Sequence, residues 1–309
     1  MSFSHVALIG LGLIGSSIAH AIRRRGEDVR ITGHARSAET RAIAARVGFC
    51  EVCETAEEAV AGADLVILCV PVGACGPVAA SIAPHLAAGA VISDVGSVKQ
   101  DLIAATAPHL PGHVHFVPAH PMAGTEHSGP EAGFAELFDD RWVILTPLED
   151  GAPADRLDTF WRGLGARTTR MSPEHHDLVC AVTSHVPHAI AYTMVGVADN
   201  MRRVTDREVV EFSAAGFRDF TRIAASDPTM WRDVFLNNRE ATLDVLGRFT
   251  EELMQVQAAI RAGDGAYLHD YFTRTRAIRR SIIEAGQDTS DPDFGRIRKP
   301  EDAGEGSAA

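Results

Sequence analysis

The segment His5-Val-Ala-Leu-Ile-Gly10-Leu-Gly12-Leu-Ile-Gly15 constrains this chain more than any other. A short apolar run reads as a buried strand and leads directly into G-x-G-x-x-G. Residues 16–25 then read as a helix and 28–33 as a second strand. That order is the context the glycine motif needs. Gly10 permits the tight turn, Gly12 lets a pyrophosphate approach the backbone, and Gly15 lets helix and strand pack closely. The helix N-terminus offers free N–H groups and a positive dipole end to the phosphates. Leu13 and Ile14 fill the same turn, and Val70-Pro71 ends the next buried strand. All of these are expected to bind a dinucleotide.

The second strand bears on which dinucleotide. An NAD site commonly ends this strand in Asp or Glu, which bonds the ribose 2′-hydroxyl. Here the sequence is Gly33-His34-Ala35-Arg36-Ser37, with no acid. A guanidinium and a hydroxyl suit a 2′-phosphate, so Arg36 and Ser37 lean towards NADP with NAD still accepted.

Strand-like and helical patterns alternate onward: a helix at 38–47, a strand at 64–70, a helix at 76–86, and strands at 90–95, 113–117 and 142–146. A helix at 154–164 and a strand at 166–171 follow. This predicts an α/β, Rossmann-type, doubly wound and mostly parallel sheet over residues 1–171. At Ser172-Pro173 the period changes to that of a helix, with a capping Ser and Pro at the first position. Helical patterns at 174–199, 206–224, 228–262 and 264–286 predict an all-α second domain over 172–286. Its long apolar faces suit pairing with another copy. Residues 287–309 are polar and aperiodic, the composition of a flexible tail.

The formal net charge of −12 argues against nucleic acid, which is held by clustered Lys and Arg. No unbroken apolar run reaches the length that spans a bilayer, and the first residues lack a basic leader, so the expectation is a cytoplasmic protein without membrane contact. The 5 cysteines have no framework spacing, and Cys50-x-x-Cys53 has no second pair to complete a zinc site. They read as core residues, and no coherent metal-ligand set emerges.

Two later segments carry the chemistry. Ser93-Asp-Val-Gly-Ser97-Val-Lys99 and His120-Pro-Met-Ala-Gly124-Thr-Glu126-His-Ser-Gly129 each follow a strand. Ligands of open α/β sheets lie at the carboxyl ends of the strands, so Ser97 and His120 are expected in one crevice. An imidazole there can accept a proton near neutral pH. The helical domain adds Glu174-His-His176-Asp177, then Ser184-His-Val-Pro-His188. Gly216-Phe-Arg218-Asp-Phe-Thr-Arg222 and Ser226-Asp-Pro-Thr-Met-Trp231 follow. Arg218 and Arg222, four apart, suit carboxylates, although ion pairs with Asp219 or Asp227 are the ordinary alternative.

Together these motifs closely resemble the prephenate/arogenate (cyclohexadienyl) dehydrogenases of tyrosine biosynthesis, across nearly all of residues 5–285. The resemblance implies a homodimer built through the helical domain. It also implies oxidative decarboxylation of prephenate or arogenate with hydride transfer to NAD or NADP. By this resemblance His120 is the base on the ring hydroxyl and Ser97 supports that hydrogen bond. Arg222 binds a substrate carboxylate, while His188 and Ser184 line the side-chain end. Trp231 comes from the neighbouring subunit, and Glu126 and His176 support or gate the site. A cationic His188 would favour the keto side chain of prephenate. Two alternatives stand beside this reading: another two-domain β-hydroxyacid-type dehydrogenase, for which Lys99 is the one lysine near the crevice, and a catalytically silent dinucleotide-sensing regulator.

Overall fold

The computed structural model describes residues 3–26, 28–125, 127–201 and 215–284. The chain forms two compact units, 1–246 and 247–309. In the first, six strands make a wholly parallel sheet: β1 (His5–Ile9), β2 (Arg30–His34), β3 (Glu51–Val52), β4 (Leu65–Leu68), β5 (Val91–Asp94) and β6 (His115–Phe116). Their spatial order is β3-β2-β1-β4-β5-β6, so the direction of winding reverses between β1 and β4. That reversal is the crevice where α/β sheets take their ligands. β1, β4 and β5 are buried at every position, as parallel strands covered on both faces must be. The covering helices are α1 (Leu13–Arg24), α2 (Ala38–Val47), α3 (Ala56–Val60), α4 (Cys75–Ile82) and α5 (Gln100–Thr106).

The remaining strands depart from the single sheet that the sequence predicts. β7 (Ala119–Pro121), β8 (Trp142–Leu145) and β9 (Arg167–Arg170) form a separate sheet, antiparallel between β7 and β8. Pro118 explains the change. It lacks the N–H needed to extend β6, and its carbonyl instead accepts from Thr146 N at 2.9 Å. His120 therefore lies inside β7, opposite Ile144, rather than in a loop beyond β6. Helix α6 (Ala152–Gly163) buries Leu157, Phe160 and Trp161 in the adjoining core, where Phe138 meets Trp161 edge to face.

The helix predicted over 174–199 is interrupted. It comprises α7 (Pro173–Cys180), a π-helical turn (Ala181–His185) and α8 (Val186–Asn200). Ser172 caps it, accepting from His175 N at 3.2 Å. By length and mean hydropathy the 28 residues Pro173–Asn200 could cross a membrane. However, Asp177 and His185 on this stretch are buried and bonded to neighbouring elements, as in an interior helix of a folded domain.

Next come α9 (Ala215–Thr221), a 3-10 turn (Arg222–Ala225), α10 (Pro228–Asn237) and α11 (Arg239–Ala262). The sequence predicts one helix over 228–262, yet it breaks at Asn238 (φ −120°, ψ 43°), whose amide is held by α7 and the π turn. In the second unit, α12 (Gly265–Glu284) begins at Asp264, which accepts from Tyr267 N at 3.0 Å.

Candidate active site

The glycine turn has the shape a dinucleotide requires. Gly10 has φ +111°, and a Cβ there would meet the Cys69 carbonyl oxygen at 2.4 Å. A Cβ on Gly15 would meet the Gly10 oxygen at 2.2 Å, so this turn excludes side chains at both positions. Gly12 differs: its Cβ would enter open space. Gly12 also stands at the N-terminus of α1, where no side chain caps the helix and the first turn has no acid. Free N–H donors thus face a space that only glycine leaves accessible, which fits a pyrophosphate. Leu13 and Ile14 are half-buried in that first turn, and Val70 and Pro71 follow β4 across the crevice.

Arg36 is exposed beyond the end of β2. The Ser37 hydroxyl also caps α2, accepting from Thr40 N at 3.3 Å. The sequence reading missed Arg41, which braces this loop by donating to the Ala35 and Arg36 carbonyls at 2.9 and 3.2 Å.

Beyond β5 the fold builds a buried polar chain. Asp177 on α7 accepts from the backbone N–H of Lys99 at 2.8 Å and of Gln100 at 2.9 Å, the start of α5. Its Oδ1 also lies 2.9 Å from His176 Nδ1, and His176 Nε2 lies 2.8 Å from His120 Nδ1. The carboxylate can only accept, so His176 donates from Nδ1 and accepts at Nε2. His120 must then donate from Nδ1, which leaves its lone pair on Nε2. Burial alone would raise Asp177, but hydrogen bonds from His176 and the two amides outweigh it and hold the carboxyl below its ordinary range. Burial pushes His120 well below an ordinary imidazole, reinforced by His176, Lys99 and His185. His120 is 9% exposed and His176 is fully enclosed.

Lys99 fixes the strand that carries this ring. Its ammonium, fully buried, bonds the Asp94 carboxylate and donates to the Ala119 carbonyl at 2.8 Å. Asp94 in turn accepts from Ala119 N at 3.2 Å. The peptide groups on either side of Ala119 are therefore held by one ion pair, immediately before His120. Removing one partner of such a pair leaves an uncompensated buried charge, at a cost of about 3–5 kcal/mol.

A second group lies along the π turn and α10. His185 Nδ1 accepts from the Asn238 amide at 2.9 Å, and the same amide donates to the Asp177 carbonyl at 2.8 Å. Burial brings His185 down to about 4, and the Ser97 backbone lies against the ring. The sequence reading joins Ser97 to His120. His120 bonds His176, and the Ser97 backbone meets His185. His188 donates from Nδ1 to the Ser184 carbonyl at 2.8 Å and stacks on Trp231, centroids 3.7 Å apart at 24°. The Trp231 of this stack belongs to the same chain. The buried start of α10 packs it against Val98 and Tyr192.

Burial lowers His188, and the positive charge of Arg222 lowers it further. Both effects work against a cationic His188, the form expected to favour the keto side chain. Arg222 starts the 3-10 turn after α9 rather than continuing the helical face of Arg218, and both side chains are exposed. Glu126 lies outside the described residues. Cys180, one turn after His176, packs its sulfur 3.4 Å from His176 Nε2 and 3.7 Å from His120 Nδ1. The sequence gives no hint of that grouping.

The nucleotide-binding domain model of prephenate dehydrogenase matches residues 18–170, and the dimerization domain model matches 172–274. The chain belongs to the prephenate dehydrogenase family. It is 44% identical to cyclohexadienyl dehydrogenase of Zymomonas mobilis over 91% of this chain and 96% of that protein. It is 35% identical to prephenate dehydrogenase of Bacillus subtilis over 90% of this chain and 76% of that protein. Among solved structures it superposes on Aquifex aeolicus prephenate dehydrogenase, bound to hydroxyphenyl propionate and NAD+, with a TM-score of 0.84 and 32% identity over 91% of this chain and 99% of that one. Synechocystis arogenate dehydrogenase gives 0.77 and 26% identity over 90% and 99%. Membership of this family makes the chain an NAD(P)-dependent oxidoreductase of tyrosine biosynthesis.

Proposed function

We propose that this enzyme oxidises and decarboxylates both prephenate and arogenate, giving 4-hydroxyphenylpyruvate and tyrosine. The observation that carries the reading is the bond order Asp177–His176–His120, which leaves a lone pair on His120 Nε2. When bound, the nicotinamide supplies the hydride acceptor. His120 Nε2 takes the proton of the ring 4-hydroxyl as its carbon becomes a carbonyl. The positive charge that develops on His120 is stabilised through His176 by the Asp177 carboxylate. Carbon dioxide leaves from the opposite ring carbon, the electrons of the broken bond restore the aromatic ring, and the former carbonyl oxygen takes back a proton to become the phenol.

Ser97, half-buried beside His185, supports the same substrate oxygen. Arg222 holds a substrate carboxylate, and Ser184 and the stacked His188–Trp231 pair flank the side chain; the resemblance adds a gating role for Glu126. With Nδ1 committed to Ser184, His188 Nε2 is free to accept from the ammonium of arogenate. A neutral ring also imposes no penalty on either substrate, which supports dual acceptance. Gly10, Gly12, Leu13, Ile14, Gly15, Val70 and Pro71 hold the dinucleotide, and Arg36 with Ser37 tilts the site towards NADP.

A cytoplasmic homodimer suits the family's biosynthetic role. The matched dimerization domain supports pairing, as do exposed apolar side chains such as Val182, Met194 and Val197 on one helix. Initial rates with prephenate or arogenate, each against NAD and NADP, test the proposal. Turnover of both substrates is expected; a rate with one alone would limit the enzyme to it, and no rate with either would end the reading.

A further inference from the structure

The Asp177–His176 pair has a second chemical meaning. A histidine whose Nδ1–H is held by a carboxylate presents Nε2 as a strengthened metal ligand, the usual arrangement around protein-bound zinc. Here that nitrogen faces two more donors. His176 Nε2, His120 Nδ1 and Cys180 Sγ all lie within 4.8 Å of one another and are buried. His176 and Cys180 are four residues apart on α7, so one helical face supplies two ligands and β7 the third.

The spacing suits a tetrahedral ion. Zinc–nitrogen and zinc–sulfur bonds of ordinary length place N and S about 3.6 Å apart and two nitrogens about 3.3 Å apart. The observed N···S separations are 3.4 and 3.7 Å, and the N···N separation is 2.8 Å. An ion therefore needs the two rings to part by about 0.5 Å with the sulfur in place. Charge agrees as well. Around the trio, Asp94, Lys99 and Asp177 are buried and leave one carboxylate in excess. A divalent cation with a thiolate adds one positive charge and balances it.

We propose that His120, His176 and Cys180 form an inhibitory site for a thiophilic divalent cation of the zinc type. Binding releases the Cys180 thiol proton to solvent and moves the His120 proton from Nδ1 to Nε2. The nitrogen that would accept the substrate proton is then occupied. The loss of turnover rests on His120 acting as the base; occupation of the site does not.

The test loads the purified full chain with Co2+ for spectroscopy and Zn2+ for kinetics. A thiolate-to-cobalt charge-transfer band is expected, together with zinc inhibition that a chelator reverses. Cys180→Ser should lose the band and, measured against its own metal-free rate, raise the half-inhibiting zinc concentration by about 100-fold or more, beyond the loss typical of an outer-shell change. Cys180→Ala serves if the serine variant fails to fold. The double variant Cys50→Ser/Cys53→Ser should retain both effects. No band in the unmodified chain, or a band that survives loss of Cys180, overturns the site. A Cys180-dependent band without inhibition upholds the site and overturns His120 as the base.

Discussion

His120 Nδ1 stands 2.8 Å from His176 Nε2, a contact that holds the first ring in one tautomer because the second is already committed to Asp177. Replacing His120 with Asn removes the proton acceptor while leaving the pocket filled. The expected result is kcat lower by about 10²–10⁴-fold with substrate and dinucleotide binding retained. Unchanged turnover in that variant would falsify the assignment. Asp177→Asn should also lower kcat, because an amide no longer obliges His176 to donate. Its thermal midpoint should fall too, since one acceptor oxygen must serve both the Lys99 and Gln100 amides.

Arg222 is exposed and close enough to His188 to depress its protonation. Loss of a charged hydrogen bond to a substrate carboxylate is worth about 1.5–3 kcal/mol. Arg222→Ala should therefore raise KM by roughly 10–100-fold and move kcat much less. Steady-state kinetics separate the two. A fall in kcat at constant KM would place the arginine elsewhere in the cycle.

The glycine turn separates folding from cofactor binding. Gly12→Val adds a side chain to open space, so the thermal midpoint should hold while dinucleotide affinity drops at least about tenfold, measured by fluorescence titration. Gly10→Ala adds a Cβ 2.4 Å from a carbonyl oxygen at φ +111°, and should destabilise the fold by about 1–3 kcal/mol or more.

His185 makes stability depend on pH. Its native pKa is about 4 against 6.5 unfolded, so the unfolded chain binds the extra proton between those values. Its contribution is fully present above pH 6.5 and is lost as pH falls towards 4. The loss is on the order of 3 kcal/mol for this group. Urea midpoints taken from neutral to mildly acidic pH should fall, and more shallowly in His185→Gln. Equal slopes in the two proteins would contradict a buried neutral His185.

The local features were the legible ones. Gly10, Gly12 and Gly15 carry their roles in the sequence because the turn, the clash with Cys69 and the open face of Gly12 arise within one β-α-β unit. The helix start at Ser172 was equally readable from its cap. The proton chain was not. The resemblance gives His176 a supporting or gating role, but its bonds to Asp177 and His120 arise only when α7 packs against the start of α5. Cys180 reads as a core residue, and it is one, packed against the rings of His120 and His176. Pro118 signalled the end of β6 but not that the chain would enter a second sheet. Asn238 sits in a helical pattern that its own tertiary hydrogen bonds override.

The π turn at Ala181–His185 carries one surplus residue within an otherwise α-helical stretch. A change that wound this turn as regular α-helix without removing a residue would rotate everything beyond it by about 100°, one residue's worth. His188 would leave Trp231, while His176 and Asp177, upstream, would stay where they are. The placing of His188 relative to His176 therefore depends on this wide turn keeping its winding.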